Sequence, residues 1–240
     1  KQSEFTEKEE LAAPTDMGTL VHECSAKFLG KHLQEKLPKY DLAVLWEDLK
    51  QEFQNLCDEY IANGKLLQNE LWGAEQKRLL NMLHKWLRYE YDMQGKWDFV
   101  PCAVEWAFNN KEVAPLRLKL EDGQKFAIMG RVDRIDKNGD KVFVTDYKLG
   151  SVPSVDDLPN GVDLQLPIYL LAANKLYGKE VAGGGYLSMK EGKRKNNVKL
   201  DAFDKLFKDT PKLKEVFESL KIDPKKMGVD QIEKAFDNAL

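Results

Sequence analysis

The segment at residues 130–150, GRVDRIDKNGDKVFVTDYKLG, constrains the fold of this chain more than any other. Two runs rich in β-forming residues flank Asn138-Gly139-Asp140, and an Asn-Gly pair between such runs is typical of a tight β-hairpin. Side chains on a strand alternate between its two faces, so Asp146 and Lys148 lie on the same face. The sequence therefore predicts a hairpin with Asp133 on its first strand and the Asp146–Lys148 pair at the end of its second.

Helical periodicity dominates the chain before this hairpin, and strand-like segments surround it. Apolar residues recur at helical spacing in residues 16–34, 41–63 and 70–93. Short β-forming segments bounded by turn residues then predict strands at 101–109, 115–120, 125–135, 141–148 and 183–189. Helical spacing returns at 164–176 and in residues 201–240, whereas KEGKRKNNVK at 190–199 indicates a basic loop.

This order of elements predicts an α+β fold, with a mainly antiparallel sheet flanked by helices and a helical amino-terminal portion. We expect one domain over residues 1–240, divided into a helical portion at 1–96, a sheet core at 97–200 and carboxy-terminal helices at 201–240. Residue 1 is not Met, and the last helical pattern has no Gly or Pro stop. We therefore expect a fragment of a longer protein.

The charge balance and the cysteines exclude several classes of protein. With a net charge of −3 and a pI near 5.8, the chain lacks the electrostatic footprint of a bulk nucleic-acid binder, so any contact with DNA must be local. Its three widely separated cysteines do not suggest a disulfide framework and indicate reduced thiols in a cytoplasmic protein. No apolar run approaches the roughly 18 residues of a membrane span.

Asp133 and Asp146 are candidates for binding a divalent cation, because each lies where an apolar run ends. Two close carboxylates raise each other's pKa unless a cation lies between them, and Mg²⁺ is usually held by one or two carboxylates together with phosphate oxygens. Lys148 would point to the same place and could stabilise charge on a phosphate. The alternative is that these acids belong to a surface set of salt bridges with Arg131, Arg134 and Asp136.

Four segments together resemble the RecB-like branch of the PD-(D/E)xK nucleases: GTLVHE, GRVDRID, VTDYKLG and DLQLPIYLLA. The resemblance covers roughly residues 17–190 and implies a restriction-endonuclease-like fold with a mixed, mainly antiparallel sheet. It implies that His22, Asp133 and Asp146 bind the metal and that Lys148 is the catalytic lysine. A lone histidine on an amphipathic helix is more often a surface or core-edge residue, but the GTLVHE context favours a ligand.

Further residues acquire roles through the same resemblance. Gln165 and Tyr169 lie four apart on one helical face and match the family's QLxxY motif, which borders the active site. The resemblance implies a catalytic role for Gln165, near the phosphate or the lysine, and a supporting role for Tyr169; a polar helix start and a packed tyrosine are the alternatives. Glu105 matches an upstream family glutamate that assists at the metal or orients Lys148, although a strand-edge salt bridge explains it equally well.

The basic segment supplies four candidates for contacts with DNA phosphates: Lys190, Lys193, Arg194 and Lys195. Basic residues of this kind position a nucleic-acid backbone without reading its sequence. The alternative is a solvated loop without a partner.

The resemblance also implies the activity, the cofactors and the partner. We expect a metal-dependent DNA exonuclease that acts beside a helicase in double-strand break repair and recombination. Mg²⁺ is the expected cation, and Mn²⁺ could replace it because imidazole is a softer ligand than a carboxylate. AddB-type members also hold an iron–sulfur cluster, but no cysteine follows Cys102 here, so that cluster is expected only in a longer parent.

Two alternatives for the function remain open at this point. The first is a catalytically inactive DNA-binding or scaffold domain of the same fold. The second is a metal-dependent phosphodiesterase that acts on RNA or on a small nucleotide. The sequence contains no GxxxxGK[ST] motif, so ATP hydrolysis is expected in another part of the parent protein or in its partner.

Overall fold

Three long helices come first in the chain, and a sheet follows them. The computed structural model describes residues 14–119, 125–153, 165–177 and 180–199. The helices are α1 (Pro14–Gly30), α2 (Leu42–Ala62), α3 (Trp72–Lys96) and α4 (Gln165–Leu176), with a 3₁₀ turn at Leu37–Lys39. The strands are β1 (Val100–Phe108), β2 (Leu116–Lys119), β3 (Lys125–Ile128), β4 (Gly130–Asn138), β5 (Lys141–Lys148), β6 (Glu180–Ser188) and β7 (Lys193–Lys199). No helix within these ranges is long and apolar enough to cross a membrane.

Five of the strands form one mixed sheet in the order β1-β4-β5-β6-β7. The β5–β6 pair is parallel, and the other three pairs are antiparallel. A parallel pair needs a crossover connection, and α4 lies in that connection and packs against both strands. Strands β2 and β3 form a separate hairpin. The predicted α+β fold, with its mainly antiparallel sheet and helical amino-terminal portion, is confirmed.

Helices cover both faces of the sheet. On one face, α1, α2 and α3 enclose a buried cluster that includes Trp86 of α3 and Tyr147 of β5. On the other face, α4 contributes Leu170 to a second cluster that includes Val144 of β5. Burial of this apolar surface is the main force that holds the layers together. Strands β4 and β5 are therefore buried on both sides, which holds the ends of these strands in place.

The sequences of α2 and α3 explain where these helices begin and which face they bury. The carboxylate of Asp41 caps α2 by accepting a hydrogen bond from the Ala43 N–H at 2.7 Å. The apolar stripe of α3 includes Leu79, Leu83 and Trp86, and all three are fully buried. This stripe therefore packs in the core, as its periodicity predicts.

The prediction of a basic loop over 190–199 is wrong, because Lys193–Lys199 forms strand β7. The backbone of β7 pairs with β6 at the edge of the sheet, and such pairing needs no apolar pattern in the side chains. Charged side chains on an edge strand also discourage pairing with another chain. The turn before β7 uses Gly192 at a φ of 60°, where an added Cβ would lie 2.8 Å from the Lys85 carbonyl oxygen.

Other predicted elements differ from the structure at their boundaries or cannot be compared with it. The first helix ends at Gly30 rather than at residue 34, and the predicted strand at 125–135 divides at Met129 into β3 and β4. The predicted turn at 121–123 and the predicted helices of 201–240 lie outside the described residues.

Gly184 lets α4 approach β6 closely, so we expect Gly184→Ala to destabilise the fold. An added Cβ would lie 2.8 Å from Leu170 Cδ2 and 2.9 Å from the Val144 carbonyl oxygen. Because a backbone atom cannot move aside, the free energy of unfolding in urea should fall by about 1–3 kcal/mol. Gly73→Ala in α3 is the control, since none of the described atoms lies within 4 Å of its added Cβ. Equal stability of the two variants would contradict the close approach.

Candidate active site

A cleft of about 720 Å³ lies between α1 and the β1–β4 edge of the sheet. His22 of α1 lines one wall of the cleft. Glu105 of β1 and the β4 residues Arg131 and Asp133 line the other wall. The fold therefore brings together His22, Glu105 and Asp133, which the sequence predicts as site residues in distant segments.

His22, Glu105 and Asp133 form a cluster that could hold a metal ion. One ligand atom from each residue lies within 4.8 Å of the other two. His22 Nδ1 lies 3.5 Å from Asp133 Oδ2, and the same oxygen accepts a hydrogen bond from the Tyr147 N–H at 2.7 Å. This backbone hydrogen bond orients the Asp133 carboxylate, so a cation would meet a ligand that is already in place.

Burial and charge change the pKa values of His22 and Glu105, the two residues that form the cluster with Asp133. Burial lowers the pKa of His22, but the hydrogen bond and the negative charge of Asp133 raise it more, so it lies above its ordinary value. Burial also raises the pKa of Glu105; the Arg131 guanidinium opposes this effect, and the Asp133 charge adds to it. Protons therefore compete with a cation for this cluster.

Glu105 adopts a backbone conformation that β-strands do not normally use. Its φ of 48° lies in the left-handed region, which costs a residue other than glycine about 1–3 kcal/mol. Glu105 lies between the register pairs Val104–Arg134 and Trp106–Val132, and so opposite Asp133. Such local strain is concentrated at functional sites in proteins, and the sequence contains no pattern that predicts it here.

Thr145 of β5 pairs with Arg134 of β4, and the two strands are antiparallel. The next residue of β5, Asp146, is therefore the cross-strand neighbour of Asp133. It is 1% exposed, and its Oδ1 accepts no hydrogen bond from any described residue. Burial and then the charge of Asp133 raise the pKa of Asp146 to about 7, although Lys148 opposes them. A buried carboxylate oxygen without a donor is costly, and a bound cation would remove that cost. The oxygen-rich donor set thus fits a hard divalent cation.

Lys148 is held by neighbours on several sides. Its Nζ lies 2.8 Å from Asp146 Oδ2 and donates a hydrogen bond to Gln165 Oε1 at 2.6 Å. The same Nζ lies 5.4 Å from the ring centroid of Tyr186. Gln165 Nε2 in turn donates to the Tyr169 hydroxyl at 3.1 Å. The structure therefore joins Lys148, Gln165 and Tyr169 in one chain of polar contacts that begins at Asp146.

Comparison with known proteins identifies the superfamily of this chain. A sequence model of the PD-(D/E)XK nuclease superfamily matches residues 2–238. The chain belongs to this superfamily. It is 33% identical over 193 residues to a protein of Carboxydothermus hydrogenoformans that is named as a subunit of an ATP-dependent helicase/deoxyribonuclease. That alignment covers 75% of this chain and 17% of the relative.

Proteins with the same name from two other bacteria are similar in sequence to this chain over a comparable length. The protein of Clostridioides difficile is 30% identical over 172 residues, which cover 68% of this chain and 15% of that protein. The protein of Clostridium tetani is 28% identical over 172 residues, which cover 65% of this chain and 14% of that protein. The chain thus spans less than a fifth of these relatives, and the family inferred from the four segments is confirmed.

The four predicted phosphate-contact residues do not share one environment. The surface group consists of Lys190, Lys193 and Lys195. Glu191 pairs with Lys193 at 3.0 Å and also with Lys195. Arg194 differs, because its side chain is 6% exposed and donates to Thr145 Oγ1 at 2.7 Å. The Arg194 side chain is therefore buried against a neighbouring strand, whereas the three lysines lie at the surface.

A buried ionic network behind the site was not predicted from the sequence. The Arg134 side chain is 1% exposed. Its Nη1 lies 2.5 Å from Glu90 Oε2 of α3, and its Nη2 lies 2.7 Å from Asp136 Oδ1. Arg134 also donates to the Tyr147 hydroxyl at 3.2 Å. Because the Tyr147 N–H holds Asp133, this network links α3 to the cluster of His22, Glu105 and Asp133.

The surface set of salt bridges considered as an alternative does not form. Arg134 and Asp136 are buried and pair with each other rather than with Asp133 or Asp146. Arg131 is the exposed member, and it pairs with Glu105. The sequence gives no local indication of this burial, since a charged residue in a strand is usually exposed.

Proposed function

We propose that the chain is the nuclease domain of a metal-dependent deoxyribonuclease. One observation carries the proposal: a cluster able to hold a cation adjoins the buried Asp146, which pairs with Lys148. A cation and an ammonium group side by side suit a phosphodiester, because both stabilise negative charge on phosphoryl oxygens. Membership of a nuclease superfamily supports the same chemistry.

His22, Asp133 and Asp146 would hold the cation, and Glu105 could add a fourth ligand. Oxygen ligands suit Mg²⁺, and the imidazole of His22 makes Mn²⁺ a suitable substitute. When bound, a divalent cation polarises a phosphoryl oxygen and lowers the pKa of a water molecule. The chain itself orients the donors, above all through the Tyr147 N–H that fixes the Asp133 carboxylate.

Lys148 would stabilise the charge that develops during phosphodiester hydrolysis. A water molecule attacks phosphorus and loses a proton to solvent as the new P–O bond forms. The bond to the leaving sugar oxygen breaks, and that oxygen takes up a proton from solvent. The Lys148 ammonium group, held by Asp146 and Gln165, would contact a non-bridging phosphate oxygen as its negative charge grows. Gln165 and Tyr169 would position this ammonium group through their hydrogen bonds.

The wider role is proposed from the names of the relatives. Those names describe part of an ATP-dependent helicase/deoxyribonuclease, which points to a DNA substrate and to a helicase partner. We propose that this chain acts exonucleolytically beside such a helicase, in double-strand break repair and recombination in the cytoplasm. Its three free cysteines agree with a reducing compartment.

Incubation of the chain with single-stranded DNA, duplex DNA and RNA tests the proposal. We expect cleavage of DNA with Mg²⁺ or Mn²⁺ and none in EDTA. Lys148→Met should lower the cleavage rate constant by about 10²–10³-fold, because the charge of the transition state loses its stabilising ammonium group. Lys141→Met is the matched control, since Lys141 is exposed on the same strand and should be dispensable. Cleavage of RNA alone would contradict the assignment to DNA.

The alternative function is a catalytically inactive DNA-binding or scaffold domain of the same fold. It predicts that wild type and Lys148→Met bind DNA equally and that neither cleaves it. Calorimetric titration with Mn²⁺ is the necessary control, because it distinguishes a folded but inactive site from a damaged one. The joint presence of Asp133, Asp146 and Lys148 in one site favours the enzyme.

Gln165→Leu should slow cleavage while leaving metal binding intact. The substitution removes the oxygen that accepts from Lys148 Nζ, so we expect kcat to fall by about 10- to 100-fold with a smaller change in KM. Tyr169→Phe is the milder comparison, because it removes only the acceptor of the Gln165 amide. Steady-state kinetics with a labelled oligonucleotide measure both. A normal kcat for Gln165→Leu would show that this contact does not position the lysine.

A further inference from the structure

Arg131 lies on the rim of the cleft, two residues before Asp133 on β4. Its side chain is 62% exposed, and its Nε lies 2.7 Å from Glu105 Oε2. The Glu105 side chain is 25% exposed, so the pair lies where the cleft opens to solvent. A guanidinium group in this place is within the reach of a phosphate that enters the cleft beside Glu105 and Asp133.

Two positive groups compete for the Glu105 carboxylate: a metal cation and the Arg131 guanidinium group. This carboxylate belongs to the cluster with His22 and Asp133, and it also pairs with Arg131. A metal cation and the Arg131 guanidinium group would stabilise the same carboxylate charge. Each therefore lowers the affinity of Glu105 for the other. The left-handed backbone at Glu105 shows that the fold maintains this residue in place at a cost in free energy.

We propose that Arg131 exchanges between Glu105 and a phosphate of the DNA strand in the cleft, and thereby couples substrate binding to metal binding. The inference rests on the proposed nuclease function. Guanidinium groups match phosphate oxygens in a bidentate manner, and an ion pair with one exposed partner is weaker than a fully buried pair. When Arg131 turns to the phosphate, the Glu105 carboxylate is released to the cation.

The exchange requires that DNA and metal strengthen each other's binding. The effect is reciprocal, because a coupling free energy between two ligands acts equally on both. Removal of Arg131 should therefore have two effects of opposite sign. Metal should bind more tightly, since Glu105 has lost its competitor, and DNA should bind more weakly, since a phosphate contact is gone. A purely structural role for Arg131 would not tighten metal binding.

Calorimetric titration of Mn²⁺ into the chain, with and without a single-stranded phosphorothioate oligonucleotide, tests this exchange. For wild type we expect the oligonucleotide to tighten Mn²⁺ binding. For Arg131→Gln without oligonucleotide we expect Mn²⁺ to bind about three- to fivefold more tightly, as for removal of an exposed ion pair. The oligonucleotide should bind this variant about five- to tenfold more weakly. The slope of the logarithm of its binding constant against the logarithm of the salt concentration should become shallower by about 0.7.

Two further variants serve as controls. Lys27 lines the opposite wall of the cleft and pairs with Glu23 at 3.4 Å and Glu59 at 3.5 Å, neither of which belongs to the metal cluster. Lys27→Gln removes one positive charge but should leave the affinity for Mn²⁺ and its coupling to the oligonucleotide unchanged. Arg131→Lys keeps the charge but loses the bidentate match to phosphate, so it should restore the oligonucleotide affinity only in part.

The outcomes distinguish this inference from the proposed function. If Arg131→Gln binds Mn²⁺ with unchanged or lower affinity while wild type binds metal and cleaves DNA, only the exchange is wrong. If wild type binds neither Mn²⁺ nor the oligonucleotide, the nuclease assignment and the exchange both fail. Tighter Mn²⁺ binding, weaker oligonucleotide binding and reduced coupling in the same variant would support the exchange.

Discussion

Asp146→Asn is expected to abolish metal-dependent DNA cleavage and, in the absence of metal, to stabilise the fold at pH 8. The loss of cleavage should reach about 10³-fold or more, because the variant loses both a metal-binding carboxylate and the partner of Lys148. Single-turnover kinetics with labelled DNA measure it. The gain in stability has a different origin, in the environment of the carboxylate itself.

The pKa of Asp146 is raised from its usual 3.8 to about 7 by burial and by the charge of Asp133. At pH values below both pKa values the carboxyl group is protonated in the folded and the unfolded chain, so it contributes nothing. As the pH rises through this interval the unfolded chain ionises first and stability falls, until the full cost is present above pH 7. At 1.36 kcal/mol per pH unit the upper limit is about 4 kcal/mol.

We expect a gain of about 1–2 kcal/mol for Asp146→Asn at pH 8 in EDTA, because the buried amide also lacks partners. The gain should disappear near pH 4, where the wild-type carboxyl group is largely protonated. Asp98→Asn is the control, since that side chain is 87% exposed. Added Mg²⁺ should stabilise wild type but not Asp146→Asn. A variant that is less stable than wild type at pH 8, or that still cleaves DNA, would contradict these roles of Asp146.

Arg134→Met is expected to destabilise the fold more than any surface substitution. The change leaves Glu90 buried without its cation and leaves Asp136 with Arg194 at 3.7 Å, and breaking a buried pair costs about 3–5 kcal/mol. Urea denaturation at pH 7.5 measures the loss. Because Arg134 also contacts the Tyr147 hydroxyl, the metal-binding cluster should loosen as well, and Mn²⁺ affinity should fall in calorimetry.

A double variant and a surface control make the test of this network specific. Adding Glu90→Gln to Arg134→Met should cost less than the sum of the two single changes, because the second change removes a charge that the first left unpaired. Lys141→Met breaks an ion pair with Glu180 in which both side chains are more than half exposed, and it should change stability by about 0.5 kcal/mol or less. Additive losses for the double variant would show that Glu90 and Arg134 act independently.

The parts of the fold that could be predicted depend on local patterns. The β4–β5 hairpin follows from its turn residues, and the apolar stripe of α3 follows from its helical spacing. The contact between Lys148 and Gln165 is not local, and only the family resemblance suggested it. The same holds for His22, which lies on a helix far from the hairpin in sequence.

The parts that could not be predicted depend on tertiary contacts. Glu90 has the sequence context of an exposed helix residue, yet Arg134 reaches it in the core. Arg194 stands in a run of basic residues, yet it stacks on Trp97 at 4.8 Å from the ring centroid. Strand β7 has no apolar alternation, because its place at the sheet edge comes from backbone pairing. Sequence patterns report burial poorly where charged side chains are buried together.

In the proposed site, His22, Asp133 and Asp146 bind one divalent cation beside Lys148. Calorimetric titration of Mn²⁺ at pH 7.5 into wild type and Asp133→Asn tests it most directly, with circular dichroism to confirm that both are folded. We predict saturable binding to wild type and loss of that binding in Asp133→Asn. Equal Mn²⁺ binding by the two folded proteins, or no saturable binding by wild type, would contradict a cation site at these residues.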